Sequence, residues 1–134
     1  MITYTDSATG VMPDRLQGFF VGWPDPPSPE AHLQVLKGSD HVILAVDQDT
    51  SNLVGFVTAV SDGVLSAFIP FLEVLPDYQG QGIGDELMRK MLDKLNRLYA
   101  VDLICDPELQ NWYTRFGMKP ASAMSMRRTA DNQV

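Results

Sequence analysis

The 134-residue chain reads as a mixed α/β domain, a sheet with helices on both faces. Three observations predict it. HVILAVD (41–47) and LVGFVTAV (53–60) are apolar, β-branched runs joined by the turn QDTSN, which makes them a hairpin. From residue 83, apolar residues recur near the helical period at Ile83, Leu87, Met88, Met91, Leu92, Leu95 and Leu98, with charged residues opposite. AVDLICD (100–106) then comes as a strand. The connection from the long apolar strand Leu65–Leu75 through that helix into 100–106 is a crossover, and crossovers join parallel strands.

The remaining elements can be taken in chain order. ITYT (2–5) is a short strand, and DRLQGFF (14–20), preceded by Pro13, a short helix. GWPDPPSP (22–29) carries too much proline for the interior of a strand or helix. Ser28 caps a helix that has Pro29 at its favoured first position, runs to about Lys37 and leaves Gly38 past its end. The strand at 65–75 is interrupted at Pro70, either as a local kink or as an edge or bulge position where a ladder donor can be spared. Asp106 and Pro107 open a last helix with Leu109, Trp112, Tyr113 and Phe116 on one stripe, ended by Gly117. The tail, Met118 to Arg128, is expected to hold one or two strands, with Met124 and Met126 sharing a face.

Length and composition narrow the function classes. One domain over 1–134 is expected, with a single core. The apolar share of 45% and charged share of 20% suit an ordinary globular chain, and no run approaches the ~20 apolar residues of a membrane helix. MITYTDSATG lacks the basic flank and apolar core of a secretory signal. A single cysteine excludes an internal disulfide and fits a reducing cytoplasm. The net charge of −7 argues against nucleic acid and leans mildly towards cationic ligands such as amines. Two separated histidines and one cysteine give no metal-ligand spacing, so no metal is expected.

The stretch PDYQGQGIGDEL (76–87) carries the chemistry. Each glycine costs conformational entropy on folding, so three at alternate positions suggest a close backbone approach rather than a mere turn. They stand just ahead of a helix, whose first amides are unsatisfied and whose dipole is positive there, a setting that suits a phosphate. The P-loop pattern is absent, because no Lys-Ser/Thr comes after the glycines, and their spacing is not that of the dinucleotide fingerprint.

Gln79-x-x-Gly82-x-Gly84, preceded by Val74-Leu75-Pro76, resembles motif A of the GNAT superfamily of acyl-CoA-dependent N-acyltransferases. A second likeness lies in NWYTRFGM, where Tyr113 stands four residues before Gly117 and Met118 replaces the usual Phe. The order of elements matches over nearly the whole chain. The resemblance implies a mostly antiparallel sheet with a splayed central strand pair. It implies acetyl-CoA as co-substrate, its pyrophosphate held by the backbone of Gln79, Gly80, Gln81, Gly82, Ile83 and Gly84. Its pantetheine arm would pair with the strand edge at Leu72, Glu73 and Val74. The implied activity is N-acetyl transfer to a small-molecule or protein amine in a ternary complex, with a homodimer left open. A coenzyme A-binding sensor or interaction module without turnover stays beside it as the other reading.

Each candidate residue has a structural rival. By resemblance Tyr113 is the general acid that reprotonates the thiolate of coenzyme A, and a phenol suits that donation. On its helix it equally fits a core tyrosine. Glu73 is a candidate base, directly or through water, or else a solvated or salt-bridged strand residue. Asp106 occupies the position where the family often has an asparagine that binds pantetheine. A carboxylate accepts but cannot donate, so it either receives a pantetheine N–H or caps the last helix. Leu109 likewise replaces a usual alanine. Cys105 shares a strand face with Val101 and Leu103 and reads as a buried apolar thiol rather than a nucleophile. The segment Phe19–Trp23 overhangs the acyl end of the coenzyme in this fold. It is either an acceptor lid or a loop pinned to the core.

Overall fold

Five strands form one sheet in sequence order in the computed structural model, which describes residues 1–128. They are β1 (Ile2–Thr5), β2 (His41–Asp47), β3 (Asn52–Ser61), β4 (Ser66–Val74) and β5 (Ala100–Asp102). β1 to β4 pair antiparallel, and β4 and β5 pair parallel, as the crossover requires. Helix α1 (Pro29–Gly38) precedes β2, α2 (Ile83–Lys94) makes the crossover, and α3 (Gln110–Thr114) comes after β5. The chain divides into two compact units, Met1–Leu103, which holds the whole sheet, and Ile104–Val134.

Two packed faces hold the sheet-bearing unit together. On one, Leu36 of α1 joins Leu16, Phe19, Phe20, Val42, Leu44, Leu53 and Phe56 in a buried cluster. On the other, Ile83, Leu87, Met88 and Met91 of α2 are buried. Gly55 in β3 makes the second face possible. A Cβ there would lie 3.1 Å from Leu87 Cδ1 and 3.3 Å from both Ile83 Cγ2 and the Glu73 carbonyl. Local rules set α1 in place: the Ser28 hydroxyl accepts from the Ala31 amide at 3.1 Å, and Pro29 opens the helix.

β4 departs from a plain strand at the expected position. Thr58 and Val60 of β3 pair with Phe71 and Phe68, two residue steps against three, so β4 bulges at Ile69–Pro70. Its parallel ladder with β5 covers only Ser66–Phe68 against Ala100–Asp102. From Ile69 onward β4 has no strand partner on that side among the described residues.

Several expected elements are shorter or absent. The helix expected at 14–20 is only a 3₁₀ turn at Pro13–Arg15, because Gly18 (φ 89°) and Phe20 (φ 62°) take left-handed conformations that break it. β5 ends at Asp102 rather than 106, which leaves Cys105 outside the strand and half-buried. The last helix is a 3₁₀ turn at Pro107–Leu109 followed by the five residues of α3. Residues 118–128 hold no strand, and Met124 and Met126 are exposed.

His32 is the one ionisable group sunk in the α1 face. It is 1% exposed and lies between Phe19, Phe20 and Phe56 with ring centroids 5.1, 4.9 and 4.4 Å away. Neither ring nitrogen has a hydrogen-bond partner. Burial therefore lowers its pKa from 6.5 to about 4. The unfolded chain binds a proton near pH 6.5 that the folded chain refuses until about pH 4, so stability falls as pH drops through that window. The total loss is about 3 kcal/mol at ~1.4 kcal/mol per pH unit. Urea unfolding across this window should show His32→Leu losing less stability than the wild type by about that amount. Parallel curves for the two proteins would show that His32 does not titrate in the folded core.

Candidate active site

The turn between β4 and α2 is built by two glycines with different backbone demands from the third. After a 3₁₀ turn at Pro76–Tyr78, Gly80 and Gly82 take φ of 78° and 83°, which L-residues rarely adopt. Gly82 is the N-cap of α2, and its carbonyl accepts the first helical bond, from the Glu86 amide. Gly84 lies inside the first turn and needs no glycine for its dihedrals. The first amides of a helix have no acceptor within it. Those of Gly80, Gln81, Gly82, Ile83 and Gly84 find none in the turns and loops of the described residues either. A Cβ built at Gly80 or Gly82 would meet nothing within 4 Å. Successive amides in such a turn form an anion-binding concavity, and the helix dipole adds to it.

Three side-chain anchors hold this turn and the adjoining strand. Tyr78 donates its hydroxyl to Asp47 at 2.6 Å, tying the turn to the end of β2. That bond holds the Asp47 carboxyl below its ordinary pKa and raises the Tyr78 phenol. Gln79 donates its Nε2 to the Val74 carbonyl at 3.0 Å. Glu73 accepts two backbone bonds, from the Phe20 amide at 2.9 Å and the Val21 amide at 3.3 Å. Of the two structural roles expected for Glu73, neither a solvated carboxylate nor a salt bridge describes it. Its oxygens hold the 18–23 loop.

A cleft of about 360 Å³ runs along this edge of β4. Phe20, Val21, Trp23, Pro70 to Val74, Pro76 and Gln79 line it, with Trp23 near Phe71 and Gln79 bonded to Val74. It thus brings Leu72, Glu73, Val74 and Gln79 together beside the glycine turn.

In the second unit, Tyr113 stands on α3, half-buried, its ring edge-on to Trp112 with centroids 4.8 Å apart. Burial first, and the charge of Cys105 second, raise its phenol above the ordinary value. It therefore stays protonated through neutral pH and can donate. Asp106 precedes the 3₁₀ turn, but its side chain makes no capping bond, so its role as a helix cap is not realised. Leu109 is 46% exposed rather than part of a buried stripe. Among the described residues, no group of three or more His, Cys, Asp or Glu could hold a metal, and no helix is long and apolar enough to cross a membrane.

Sequence reading missed the partners that fix the site. Asp47 and Tyr78 are 31 residues apart, and Glu73 and Phe20 are 53 apart. No short-range periodicity signals either pair.

Known proteins resemble this chain in sequence and fold. The model of the Acetyltransferase (GNAT) family matches residues 9–118. An uncharacterised N-acetyltransferase, ycf52, of Porphyra purpurea is 30% identical over 101 residues, 72% of this chain. The aligned region spans 58% of that relative's length. A solved Deinococcus radiodurans R1 structure, assigned as an acetyltransferase, is 45% identical with a TM-score of 0.91 and covers 95% of this chain and 88% of its own. A GNAT family acetyltransferase from Streptococcus pneumoniae TIGR4 is 29% identical with a TM-score of 0.75, covering 96% and 100%.

The glycine turn can be tested without turnover. Gly82→Ala should fold with a strain penalty of about 1–2 kcal/mol and bind acetyl-CoA at least tenfold more weakly by calorimetry. Gly10→Ala is the control, since Gly10 has φ 82° and open space around it but lies away from the turn. It should show similar strain with unchanged affinity. Equal affinity in both variants would place the coenzyme elsewhere.

Proposed function

The chain belongs to the GNAT acetyltransferase family, and on that premise we propose that it moves an acetyl group from acetyl-CoA to a primary amine by direct transfer in a ternary complex. The observation that carries the reading is the turn at Gly80–Gly84. It offers unpartnered amides, left-handed glycines and a helix N-terminus at the end of a strand whose far side, from Ile69 onward, has no strand partner among the described residues. These groups fit a diphosphate followed by an amide-bearing arm. The turn amides would hold the two phosphates, and the β4 backbone at Leu72–Val74 would pair with the arm as an added strand. When bound, acetyl-CoA supplies an activated acetyl thioester.

The chain's own residues then orient and move protons. The amine nitrogen forms a bond to the acetyl carbon as the carbon–sulfur bond breaks. The amine's excess proton leaves to water, the sulfur takes one from the Tyr113 hydroxyl, and the phenolate regains a proton from water. A phenol held protonated by its surroundings suits that donation. Cys105 is not needed as a nucleophile: its unit contains no histidine to activate it. Asp106, exposed and without a capping bond, is free to accept from the arm in place of the family's asparagine.

Tyr113→Phe tests the enzyme reading against a coenzyme-binding module. It keeps the ring against Trp112 and removes the proton donor. General acid catalysis contributes ~10²–10⁴-fold, so turnover with the wild type's accepted amines should fall well over tenfold. Acetyl-CoA affinity and melting temperature should stay close to wild type. Full turnover in the folded variant would reduce Tyr113 to a packing residue.

A further inference from the structure

The loop Gly18–Gly22 is held in a conformation that it would not adopt alone. Gly18, Phe20 and Gly22 all have left-handed φ, 89°, 62° and 85°. For the bulky Phe20 that geometry is unfavourable and persists only when its surroundings enforce it. The enforcing contact is Glu73, whose two oxygens take the consecutive amides of Phe20 and Val21. The backbone so fixed turns Phe20 inward, 5% exposed, against Trp23, Phe71 and His32 at 5.0, 5.9 and 4.9 Å. It leaves Val21 and Trp23 outward, 60% and 48% exposed, as one wall of the cleft beside β4.

The lining of that cleft restricts what it can hold. Among the described residues, Glu73 and Gln79 are, apart from the Trp23 indole, the only lining residues with polar side chains. Each carboxylate oxygen of Glu73 accepts one loop amide, and the Gln79 Nε2 donates to Val74. No lysine, arginine or histidine lines it to pair with a carboxylate or phosphate. Sugar hydroxyls would likewise find few side-chain partners in return for the water they lose.

We propose that Glu73 is a positioning residue that clamps the 18–23 loop against β4, so that Phe20, Val21, Trp23 and Phe71 form an acceptor site for a primary amine carried on an apolar body. The proposal rests on the acetyltransferase reading and deepens it. Glu73 builds the acceptor wall, each of its oxygens accepting one loop amide, and is assigned to holding the loop rather than to taking a proton from the amine. The glycine-turn end of the cleft, at Gln79, is left to the coenzyme. The Trp23 end receives the acceptor.

The test compares wild type with Glu73→Gln and Glu73→Ala in three measurements. Amide hydrogen exchange in the ligand-free proteins reads the clamp. Exchange at Phe20 and Val21 should quicken at least tenfold in both variants, with α2 amides unchanged. Calorimetry with acetyl-CoA alone should give affinities within about threefold of one another. Steady-state transfer uses 2-phenylethylamine and hexylamine as apolar probes, with spermidine and glucosamine as polar ones. The wild type should prefer the apolar pair by tenfold or more in kcat/KM. Both variants should raise KM for 2-phenylethylamine about tenfold, keep kcat within about threefold and retain the wild-type pH profile of kcat. Unaltered exchange at Phe20 and Val21 would overturn the clamp. A hundredfold fall in kcat with a changed pH profile and an unmoved KM would make Glu73 the base instead. Preference for spermidine or glucosamine, or no transfer to either apolar amine by a wild type that binds acetyl-CoA, would overturn the acceptor class. Failure of the wild type to bind acetyl-CoA would refute the acetyltransferase reading itself, and the exchange data would still decide the clamp.

Discussion

The seating of α2 on the sheet depends on a missing methyl group. Gly55 faces Ile83 and Leu87 across β3, and any Cβ there would press on both and on the Glu73 carbonyl. Because Gly55 has no side chain, the helix can approach β3 that closely at Ile83 and Leu87. Gly55 also pairs in register with Val74, the last residue of β4. One small residue on a central strand thus sets the height of the helix and pairs with the end of the neighbouring strand. The buried apolar row of α2 supplies the energy of this contact, roughly 1.5–3 kcal/mol for each large side chain removed from water. The exposed pairs Asp85–Arg89 and Glu86–Lys90, at 3.6 Å, contribute little beside it.

The opposite face of the sheet works by a different logic. There the α1 side is filled with rings, and the 18–23 loop is fixed from both sides of its backbone. Phe19 and Phe20 pack inward on His32 and Phe56, while Glu73 engages the peptide amides. The loop is therefore joined to β4 through polar contacts and to α1 through apolar ones. A neutral imidazole suits the second role, since its ring packs like an aromatic so long as it carries no charge. Loop shape and core protonation thereby meet at Phe20.

How much of this was legible in the sequence depends on the range of each interaction. The hairpin of β2 and β3, the Ser28 cap and the apolar row of α2 are local patterns that the structure has, although α2 ends at Lys94, before Leu95 and Leu98 of the expected row. The glycine turn was legible as a short motif, although only Gly80 and Gly82 carry the unusual dihedrals. The helix expected at 14–20 failed because its apolar residues, Leu16, Phe19 and Phe20, are buried by a broken loop rather than by a helical face. Glu73 looked like an exposed alternate residue of a strand, and its partners are backbone amides of a distant loop, which side-chain patterns cannot encode. The end of the chain was over-read in the same way: alternating methionines suggested a strand, yet residues 118–128 pair with nothing as a ladder.

The short parallel ladder of β4 has a consequence for the protein's behaviour at high concentration. A strand that loses its neighbour partway along presents a template on which another polypeptide can nucleate intermolecular pairing. Here the bulge at Ile69–Pro70 breaks the pleat just past the last paired residue, and proline has no amide to give. Between that bulge and the turn at Pro76, only a few residues keep a regular backbone. That is enough to receive one or two amides of a small molecule and too short to seed a stable fibre-like register with a second chain. Proline at such an interruption is one of the devices that limit pairing between the edges of separate chains.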